Sequence, residues 1–309
     1  MTGSSRKPAR PAPRFGGAGK IAIIGSINRD EVWDEHGNQR RGWGGILYNI
    51  ATLSRFAPPR TTIRPVARLG SDARVPVGTW LRNLPKVDLS ALVPLERRGN
   101  LCRMRYVDAD RREEKLLHRV PPLPYQALRP ALLADTILVN FISGNDITIA
   151  ALEQCRREFR GTIYMDIHSY LLGRRKDATR FARRPSGWRR VVSSADVLQM
   201  NEVEFAALSG HVAAPQVVLA WAGEQLTPLR CQCLLVTLGA AGAFCATRAR
   251  GKWQLRRFHA GRRPRGMDPT GCGDTFSGLW LSAWLKGHGP LACTRAAAHG
   301  AARPVRPSV

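Results

Sequence analysis

Several features that mark other protein classes are missing from the sequence. No apolar run reaches the roughly 18 residues that a membrane-spanning helix requires, so we do not expect a membrane protein. The seven cysteines form no CxxC pair and no secretory signal precedes them, which predicts free thiols in a reducing cytoplasm. No GxGxxG motif follows the first apolar segment, which counts against a dinucleotide-binding fold.

Lysine is also scarce, since the 309 residues include 7 lysines and 41 arginines, with a net charge of +25. A charge of this size, taken alone, suggests a polyanionic partner such as nucleic acid. The arginines are spread along the whole chain, however, and form no face interleaved with aromatic residues. Because this pattern fits coding bias at least as well as a binding surface, we do not expect nucleic acid to be the partner.

The run from Thr270 to Asp274 (TGCGD) carries the strongest chemical signal in the chain. The apolar spacing after it predicts a helix that begins near Cys272 and ends at Gly287. A helix start can hold an anion through its unpaired N–H groups, and glycines let the backbone approach that anion closely. A carboxylate here, Asp274, suits a base that takes a proton from a hydroxyl attacking a phosphoryl group. Simple complementation of the helix dipole explains Asp274 equally well.

This run, with Asp268 before it, resembles the C-terminal signature of the ribokinase-like (PfkB) carbohydrate kinases. The family usually has alanine where this chain has Cys272, a change between small residues that should leave the turn intact. The resemblance implies that Asp274 is the general base. It also implies that the N–H groups of Gly271, Cys272 and Gly273 form an anion hole for the transferring group.

The beginning of the chain carries a second match to the same family. Residues 20–27 (KIAIIGSI) predict a buried parallel strand, and polar residues follow it where open α/β sheets place ligands. The order of strand, Asn-x-Asp, hairpin and Gly-Gly-x-x-x-Asn resembles the N-terminal signature of these kinases. Turn and cap chemistry explains each polar residue singly. The residues that the resemblance assigns to substrate binding are Asn28, Asp30, Gly44, Gly45 and Asn49.

Two further segments resemble family motifs in the expected order. Residues 201–204 follow a predicted strand as Asn-x-x-Glu, whose glutamate in the family orders Mg²⁺ and its waters. Residues 237–242 (TLGAAG) resemble a nucleotide-binding TxGxxG segment. Helix-cap charge and a hairpin turn are the simpler explanations. The residues that the resemblance assigns to Mg²⁺ and ATP are Glu204 for the metal, and Asn201, Thr237, Gly239, Gly242 and Thr270 for the nucleotide. A monovalent-cation requirement stays open.

Predicted strands and helices alternate along the chain, which indicates a doubly wound α/β fold with a mostly parallel sheet. Antiparallel pieces near 31–43 and 101–118 correspond to the family's small β lid, through which a homodimer is expected. We expect the arginine-rich residues 174–190 to form a helix and loop on the surface. The predicted divisions are a disordered tail over 1–19, a ribokinase-like kinase domain over 20–302 and a C-terminal tail over 303–309.

The implied reaction is transfer of the γ-phosphoryl group of ATP to a hydroxyl of a sugar or sugar-containing small molecule. A nucleoside kinase of the same family, or a catalytically silent ligand-binding member, are the alternatives. An intact Asp274 argues against the silent member, which needs no base. Residues 44–49 (GGILYN) are bulkier and more apolar than the usual Gly-Gly-Lys-Gly-Ala-Asn. They argue against ribose itself and favour a substrate that carries a base or another apolar group.

Overall fold

A computed structural model describes residues 19–107, 112–262 and 269–309. Residues 1–18 of the predicted tail, residues 108–111 of the second predicted lid piece and Asp268 of the C-terminal motif lie outside these ranges. Within them, no helix combines the length and the apolarity needed to cross a membrane.

The described secondary structure alternates between strands and helices along most of the chain. The strands are β1 (Lys20–Ile24), β2 (Ile27–Trp33), β3 (Gln39–Gly45), β4 (Thr62–Leu69), β5 (Leu92–Pro94), β6 (Asn100–Tyr106), β7 (Arg112–His118), β8 (Thr136–Asn140), β9 (Thr162–Asp166), β10 (Leu172–Arg174), β11 (Arg180–Ala182), β12 (Val197–Asn201), β13 (Cys233–Thr237), β14 (Ala243–Ala249) and β15 (Lys252–Phe258). The α-helices are α1 (Leu47–Phe56), α2 (Pro76–Asn83), α3 (Tyr125–Leu128), α4 (Ile149–Glu158), α5 (Trp188–Val192), α6 (Glu202–Ser209), α7 (Pro215–Trp221), α8 (Cys272–Leu285) and α9 (Pro290–Gly300).

The centre of the molecule is a nine-stranded sheet in the order β15-β14-β13-β12-β9-β8-β1-β4-β5. The strands from β13 to β5 pair in parallel, and β14 and β15 add an antiparallel edge. The inner strands β1 and β8 are buried at every residue except Lys20, as the continuous apolar runs of a covered parallel sheet require. This confirms the predicted doubly wound, mostly parallel α/β fold.

Alternating side chains of the central strands fill two cores, one on each face of the sheet. On β1, Ile21 and Ile23 join the core beneath α1, α8 and α9, where Trp280 is fully buried. Ala22 and Ile24 join the opposite core, beneath α4, α5 and α6. The sheet is therefore covered by helices on both faces, which fixes the positions of its strand ends.

The two antiparallel pieces predicted as a lid form one four-stranded sheet in the order β3-β2-β6-β7. Strands β2 and β6 run side by side in parallel, and each carries its hairpin partner on the outside. Glu31 of β2 accepts hydrogen bonds of 3.1 and 2.8 Å from the guanidinium of Arg103 on β6. The sequence separates these hairpins by more than 50 residues, yet this pairing makes them one unit.

The expectation of a surface helix and loop over residues 174–190 is wrong in part. Strands β10 and β11 form a small antiparallel pair there, and only the end of the segment is helical. Arg180 is buried and donates a 3.1 Å hydrogen bond to the Ser169 carbonyl. Trp188 is buried and stacks on Trp221 with ring centroids 5.9 Å apart. This segment is rich in charged residues, but Trp188 and Arg180 lie in the interior of the protein.

Helix α8 begins at Cys272 as predicted and ends at Leu285, two residues before the predicted Gly287, which has a φ of 86°. It packs closely against α1, because Gly278 faces Thr52. A Cβ atom at position 278 would lie 2.7 Å from the Thr52 Cβ atom and 2.8 Å from its Cγ2 atom. The absence of a side chain at Gly278 therefore sets how near α8 comes to α1.

We expect Gly278→Ala to lower the free energy of unfolding by about 1–3 kcal/mol, because the added methyl group forces α1 and α8 apart. Urea denaturation of the purified protein measures this loss. Gly223→Ala is the matched control, since a Cβ atom there would meet no atom within 4 Å. Equal stability of the two variants would contradict the close approach of α1 and α8.

Candidate active site

The carboxyl ends of the parallel strands bring polar residues to one edge of the sheet. Asn140 at the end of β8 is in register with Asp166 at the end of β9, and Asp166 is in register with Gln199 of β12. Asn201 at the end of β12 is in register with Thr237 at the end of β13. In open α/β sheets this edge is where ligands bind.

The first turn of α8 begins at Gly271, which has a φ of 84°. A Cβ atom at Gly271 would lie 2.3 Å from Cδ1 of Tyr48, so glycine is required both by the backbone and by this ring. The Cys272 N–H donates a 3.0 Å hydrogen bond to the Pro269 carbonyl. Gly273 is exposed, and a Cβ atom there would meet nothing within 4 Å. Of the three glycine-turn residues, Gly273 is therefore the most open to an approaching anion.

Two asparagines hold Asp274 in this first turn. The Asn140 side-chain amide donates a 2.7 Å hydrogen bond to the Asp274 carboxylate and a 3.0 Å hydrogen bond to the Asn49 side chain. The Asn49 amide in turn donates 2.9 Å to the Asp274 carbonyl and 2.8 Å to the Ser277 hydroxyl. Both asparagines are fully buried, whereas Asp274 is half-buried. The network orients the Asp274 carboxylate from behind.

Asn140 was not identified from the sequence. A polar residue at the end of an apolar strand (DTILVNF) was the signal that could have found it. Asn49 was predicted to bind substrate, and in the structure it fastens α1 to α8. Its contact with substrate stays a prediction.

A cavity of about 190 Å³ lies beside this turn, between the small sheet and the end of the chain. Asp30 and Tyr48 line it, as does Thr270, whose hydroxyl lies 3.0 Å from the Tyr106 hydroxyl of β6. Since the Tyr48 ring also packs on Gly271, this cavity reaches the start of α8. Its remaining lining residues are Val32, Arg40, Arg41, Gly42, Trp43, Arg306, Pro307 and Val309.

The contacts beside this cavity explain why positions 44 and 45 are glycines. A Cβ atom at Gly44 would lie 2.0 Å from the Asp30 carboxylate, so glycine there lets the carboxylate rest against β3. Gly45 has a φ of 69°, and a Cβ atom there would lie 2.2 Å from the Ser26 carbonyl. The Asn28 side chain accepts a 3.1 Å hydrogen bond from Asn100. Asn28 and Gly45 thus shape the strands around the cavity and are not among its described lining residues.

The bulky residues of the GGILYN run divide between the cavity and the core. Tyr48 lines the cavity, and burial raises its pKa to about 12, with the Asp30 charge adding to the effect. Ile46 and Leu47 are fully buried in the core beneath α8. Of the bulky residues in this run, only Tyr48 therefore lines the cavity. Trp43, which lies just before the run, lines it as well.

A buried carboxyl group, Asp166, supports the turn from below. Burial raises its pKa well above the usual range; the His168 charge opposes this, and the charges of Glu204 and Asp274 add to it. The Gln199 amide donates 2.6 Å to the Asp166 carboxyl and 3.3 Å to the Gly273 carbonyl. Asp166 and Gln199, neither of them predicted as site residues, thus connect two strand ends to the glycine turn.

Asn201 and Glu204 form a capping box at the start of α6. The Glu204 carboxylate accepts 2.7 Å from the Asn201 N–H and 2.8 Å from its side-chain amide. A third contact, of 3.1 Å, joins it to Nδ1 of His168. With both carboxylate oxygens engaged, Glu204 suits contact with a hydrated ion through water better than direct coordination.

The predicted nucleotide turn follows β13. Gly239 is exposed with a φ of 53°, and a Cβ atom there would meet nothing within 4 Å. Gly242 has a φ of 102° and is buried, since a Cβ atom there would lie 1.9 Å from the Phe258 carbonyl. Thr237, half-buried at the strand end, and Gly239 face outward, whereas Gly242 closes the turn against β15.

We expect His168 to titrate near pH 9 in the native protein without ligands. Burial lowers its pKa, but the Glu204 hydrogen bond and charge, with the charges of Asp166 and Asp274, more than offset this and raise the pKa from 6.5 to about 9. The raised pKa means that the His168–Glu204 pair stabilises the fold fully below about pH 6.5 and ceases to do so as the pH rises through 9.

Two-dimensional NMR of the histidine rings measures this midpoint. In Glu204→Gln the midpoint should fall, because burial remains while the partner's charge is lost; 28% of the His168 side chain is exposed, which limits the fall. A wild-type midpoint near 6.5, or no change in the variant, would contradict the pairing.

Comparison with known proteins shows which family model part of the chain matches and which solved structures have a similar fold. The model of the pfkB family of carbohydrate kinases matches residues 179–306. A search of curated proteins gave no significant match. Solved structures with a similar fold include a pyrophosphate-dependent kinase of the ribokinase family in a sulfate complex (TM-score 0.72, 17% identity, 93% of this chain and 97% of that one). Others are Arabidopsis thaliana ribokinase with ribose and ATP (0.70, 18%, 92% of each chain) and the nucleoside kinase of Methanocaldococcus jannaschii (0.67, 16%, 93% and 91%).

The family match spans the segment that contains Asn201, Glu204, the nucleotide turn and Asp274. The fold similarity covers 93% of this chain for the pyrophosphate-dependent kinase and 92% for the plant ribokinase. These findings agree with the family resemblance seen in the sequence motifs: residues 179–306 match the pfkB carbohydrate kinases, and the fold is similar to that of ribokinase-family kinases, which supports a phosphotransferase.

Proposed function

We propose that the protein transfers the γ-phosphoryl group of ATP to a hydroxyl group of a sugar or sugar-containing small molecule bound against Asp30. One observation carries this proposal. The Asp274 carboxylate lies in the first turn of α8, oriented by Asn140, and the cavity that holds Asp30 reaches this turn through Tyr48. A base, an anion-binding helix start and an acceptor cavity are therefore adjacent.

In this proposal Asp274 accepts the proton of the attacking hydroxyl. The Asn140 amide holds one carboxylate oxygen at 2.7 Å, so that the base has a fixed direction. Asp30 accepts hydrogen bonds from neighbouring hydroxyls of the acceptor and positions the reacting one. The burial of Asp30 strengthens these contacts.

The N–H groups of Gly271, Cys272 and Gly273 are the proposed anion hole, with the open Gly273 best placed. Because Cys272 donates to Pro269 in this structure, its N–H would have to exchange that acceptor for the phosphoryl group. The positive end of α8 adds a fixed partial charge at the same point.

The donor side is proposed to include Thr237, Gly239 and Asn201 at the ends of β12 and β13. Mg²⁺ would be held chiefly by the donor phosphates, with Glu204 orienting its waters, and would neutralise charge on the transferring group. Among the described residues no group of three or more His, Cys, Asp or Glu side chains could hold a metal ion by itself. A hydrated ion that arrives with the nucleotide fits such a donor set.

A nucleoside is the second candidate acceptor. The aromatic side chains of Trp43 and Tyr48 line the cavity, and a nucleobase could pack on either of them. Pyrophosphate should also be tested as the phosphoryl donor, since a solved kinase of similar fold is described as pyrophosphate-dependent.

We expect Asp274→Asn to lower kcat by about 10²–10⁴-fold with ATP affinity nearly unchanged, because the amide cannot take the proton. The assay measures product formation from Mg·ATP, and separately from pyrophosphate, with sugars, sugar phosphates and nucleosides as acceptors. Calorimetry measures ATP binding to both proteins.

Wild-type turnover by the Asp274→Asn protein would remove Asp274 from the role of base. If the wild type binds ATP or a sugar and transfers no phosphoryl group to any acceptor, the chain is a silent ligand-binding member of the family. If the wild type turns over one acceptor class and the Asp274→Asn protein does not, that class is identified as the substrate.

Substitution of Asn140 tests whether this residue acts through the Asp274 carboxylate or has only a structural role. We expect Asn140→Ala to lower kcat by about 10–100-fold at all pH values, since one orienting hydrogen bond is lost. Asn140→Asp should lose more activity at neutral pH and regain part of it as the pH rises. The reason is that two carboxylates so close together share a proton, which must leave before Asp274 can act as a base.

The pH dependence of kcat/KM for the two variants measures this difference, and thermal unfolding checks that both are folded. Parallel pH profiles for the alanine and aspartate variants would show that Asn140 does not act through the Asp274 carboxylate.

A further inference from the structure

We propose that the segment after α9 forms one wall of the acceptor cavity, and that Arg306 in it, with Arg40 and Arg41, selects acceptors that carry an anionic group. The anionic group is a phosphate monoester or a carboxylate placed away from the reacting hydroxyl. This inference rests on the proposed function, because it names the substrate class of the same site.

The segment after α9 is fixed to the catalytic helix. The Val305 N–H donates a 3.1 Å hydrogen bond to the hydroxyl of Thr275, which is fully buried. Thr275 follows Asp274 directly, so the segment is attached within one residue of the proposed base. A chain held at this point passes over the start of α8.

Beyond this attachment, Arg306, Pro307 and Val309 line the cavity. Arg40 and Arg41 on β3 also line it. The cavity is thus built from two ends of the chain that are more than 260 residues apart. The sequence motifs of the family do not include either set of residues.

The charges along this lining favour an anion. Three arginines and Asp30 are the charged side chains of the described lining. With Asp274 beside it, the three guanidinium groups outnumber the two side-chain carboxylates. Arg41 also lies 3.8 Å from Glu31, which keeps its guanidinium near the cavity without a close hydrogen bond in that pair.

Arg306 and Arg40 are also close enough to Tyr48 for their charges to act on it. Their charges lower the pKa of this phenol, against the raising effects of burial, Asp30 and Asp274. Both guanidinium groups therefore act on the same ring that separates Asp30 from the start of α8. Arg306 and Arg40 are exposed at their side chains, so they are accessible to a ligand entering from solvent.

Guanidinium groups bind phosphate and carboxylate through two parallel hydrogen bonds, whereas a neutral sugar offers no such partner. Asp30 then has the complementary task of accepting hydrogen bonds from the hydroxyl groups. An acceptor with hydroxyls at one end and an anionic group at the other matches both features of the cavity.

Calorimetric binding without any phosphoryl donor tests this inference independently of catalysis. The probes are ribose against ribose 5-phosphate, and glucose against gluconate. We expect the wild type to bind each anionic probe about 10–100-fold more tightly than its neutral counterpart. Arg306→Ala should remove most of this preference, Arg306→Lys should keep part of it, and high salt should weaken it.

Arg303→Ala is the matched control, since Arg303 is exposed in the same segment and is not among the described lining residues. Its preference should equal that of the wild type. A wild type that binds neutral probes as tightly as anionic ones, or an Arg306→Ala protein with unchanged preference, would overturn the proposal. Tighter binding of every probe by Arg306→Ala would also overturn it, because Arg306 would then be blocking the cavity.

Thr275→Val and Thr275→Ser test the attachment of the segment. The valine variant keeps the shape and loses the acceptor for the Val305 N–H, so the anionic preference should fall as in Arg306→Ala. The serine variant keeps the hydroxyl and should keep the preference. Equal preferences for both variants would contradict the role of the Thr275 hydroxyl. If phosphoryl transfer fails with every acceptor while these binding results hold, the proposed reaction is wrong and the anion site stands.

Discussion

The hydrogen bonds of Asn140 are the contact on which the site depends. This one amide joins the end of β8 to Asn49 of α1 and to Asp274 of α8. Without it, the hydrogen bonds of Asn49 would still join α1 to α8, but these two bonds from the end of β8 to α1 and to the proposed base would be lost. The amide is fully buried, so leaving its N–H groups without these two acceptors would be costly.

The rest of the site distributes charge around this contact. Burial raises the pKa of Asp166 well above its usual range, Glu204 and the neighbouring charges raise the pKa of His168 to about 9, and the helix start adds a partial positive charge. The raised pKa of Asp166 makes the negative form of this group less favourable beneath the glycine turn than it would be in water. The pairing of Glu204 with His168 sets a positive charge beside a negative one at the same strand ends.

Features that rest on local patterns could be predicted from the sequence. The apolar runs of β1 and β8, the limits of α8 and the alternation in β6 each depend on residues close together in the chain. The glycines could be identified as special, but the reason for each could not. Gly44 faces Asp30 and Gly271 faces Tyr48, and neither contact follows from spacing.

Contacts between distant segments were the part that sequence reasoning missed. Asn140, His168 and Gln199 belong to no motif of the chain, and their partners lie on other elements. The buried Trp188 was misjudged because charge dominates the residues around it, while its partner Trp221 lies on α7. The segment after α9 is joined to α8 by a hydrogen bond from Val305 to Thr275, which no periodicity could indicate.

The excess of arginine acquires a different meaning once these contacts are known. Many of the arginines serve the fold: Arg64 pairs with Asp88 at 2.7 Å, Arg156 with Asp196 at 3.0 Å, and Arg68 donates to the carbonyl groups of Pro121 and Pro122. The net charge alone therefore says little about a partner. The informative arginines are those at the cavity, because two walls from opposite ends of the chain bring three of them to one place beside a carboxylate. These three arginines can select a ligand because of where the fold places them, and the composition of the chain does not contain this information.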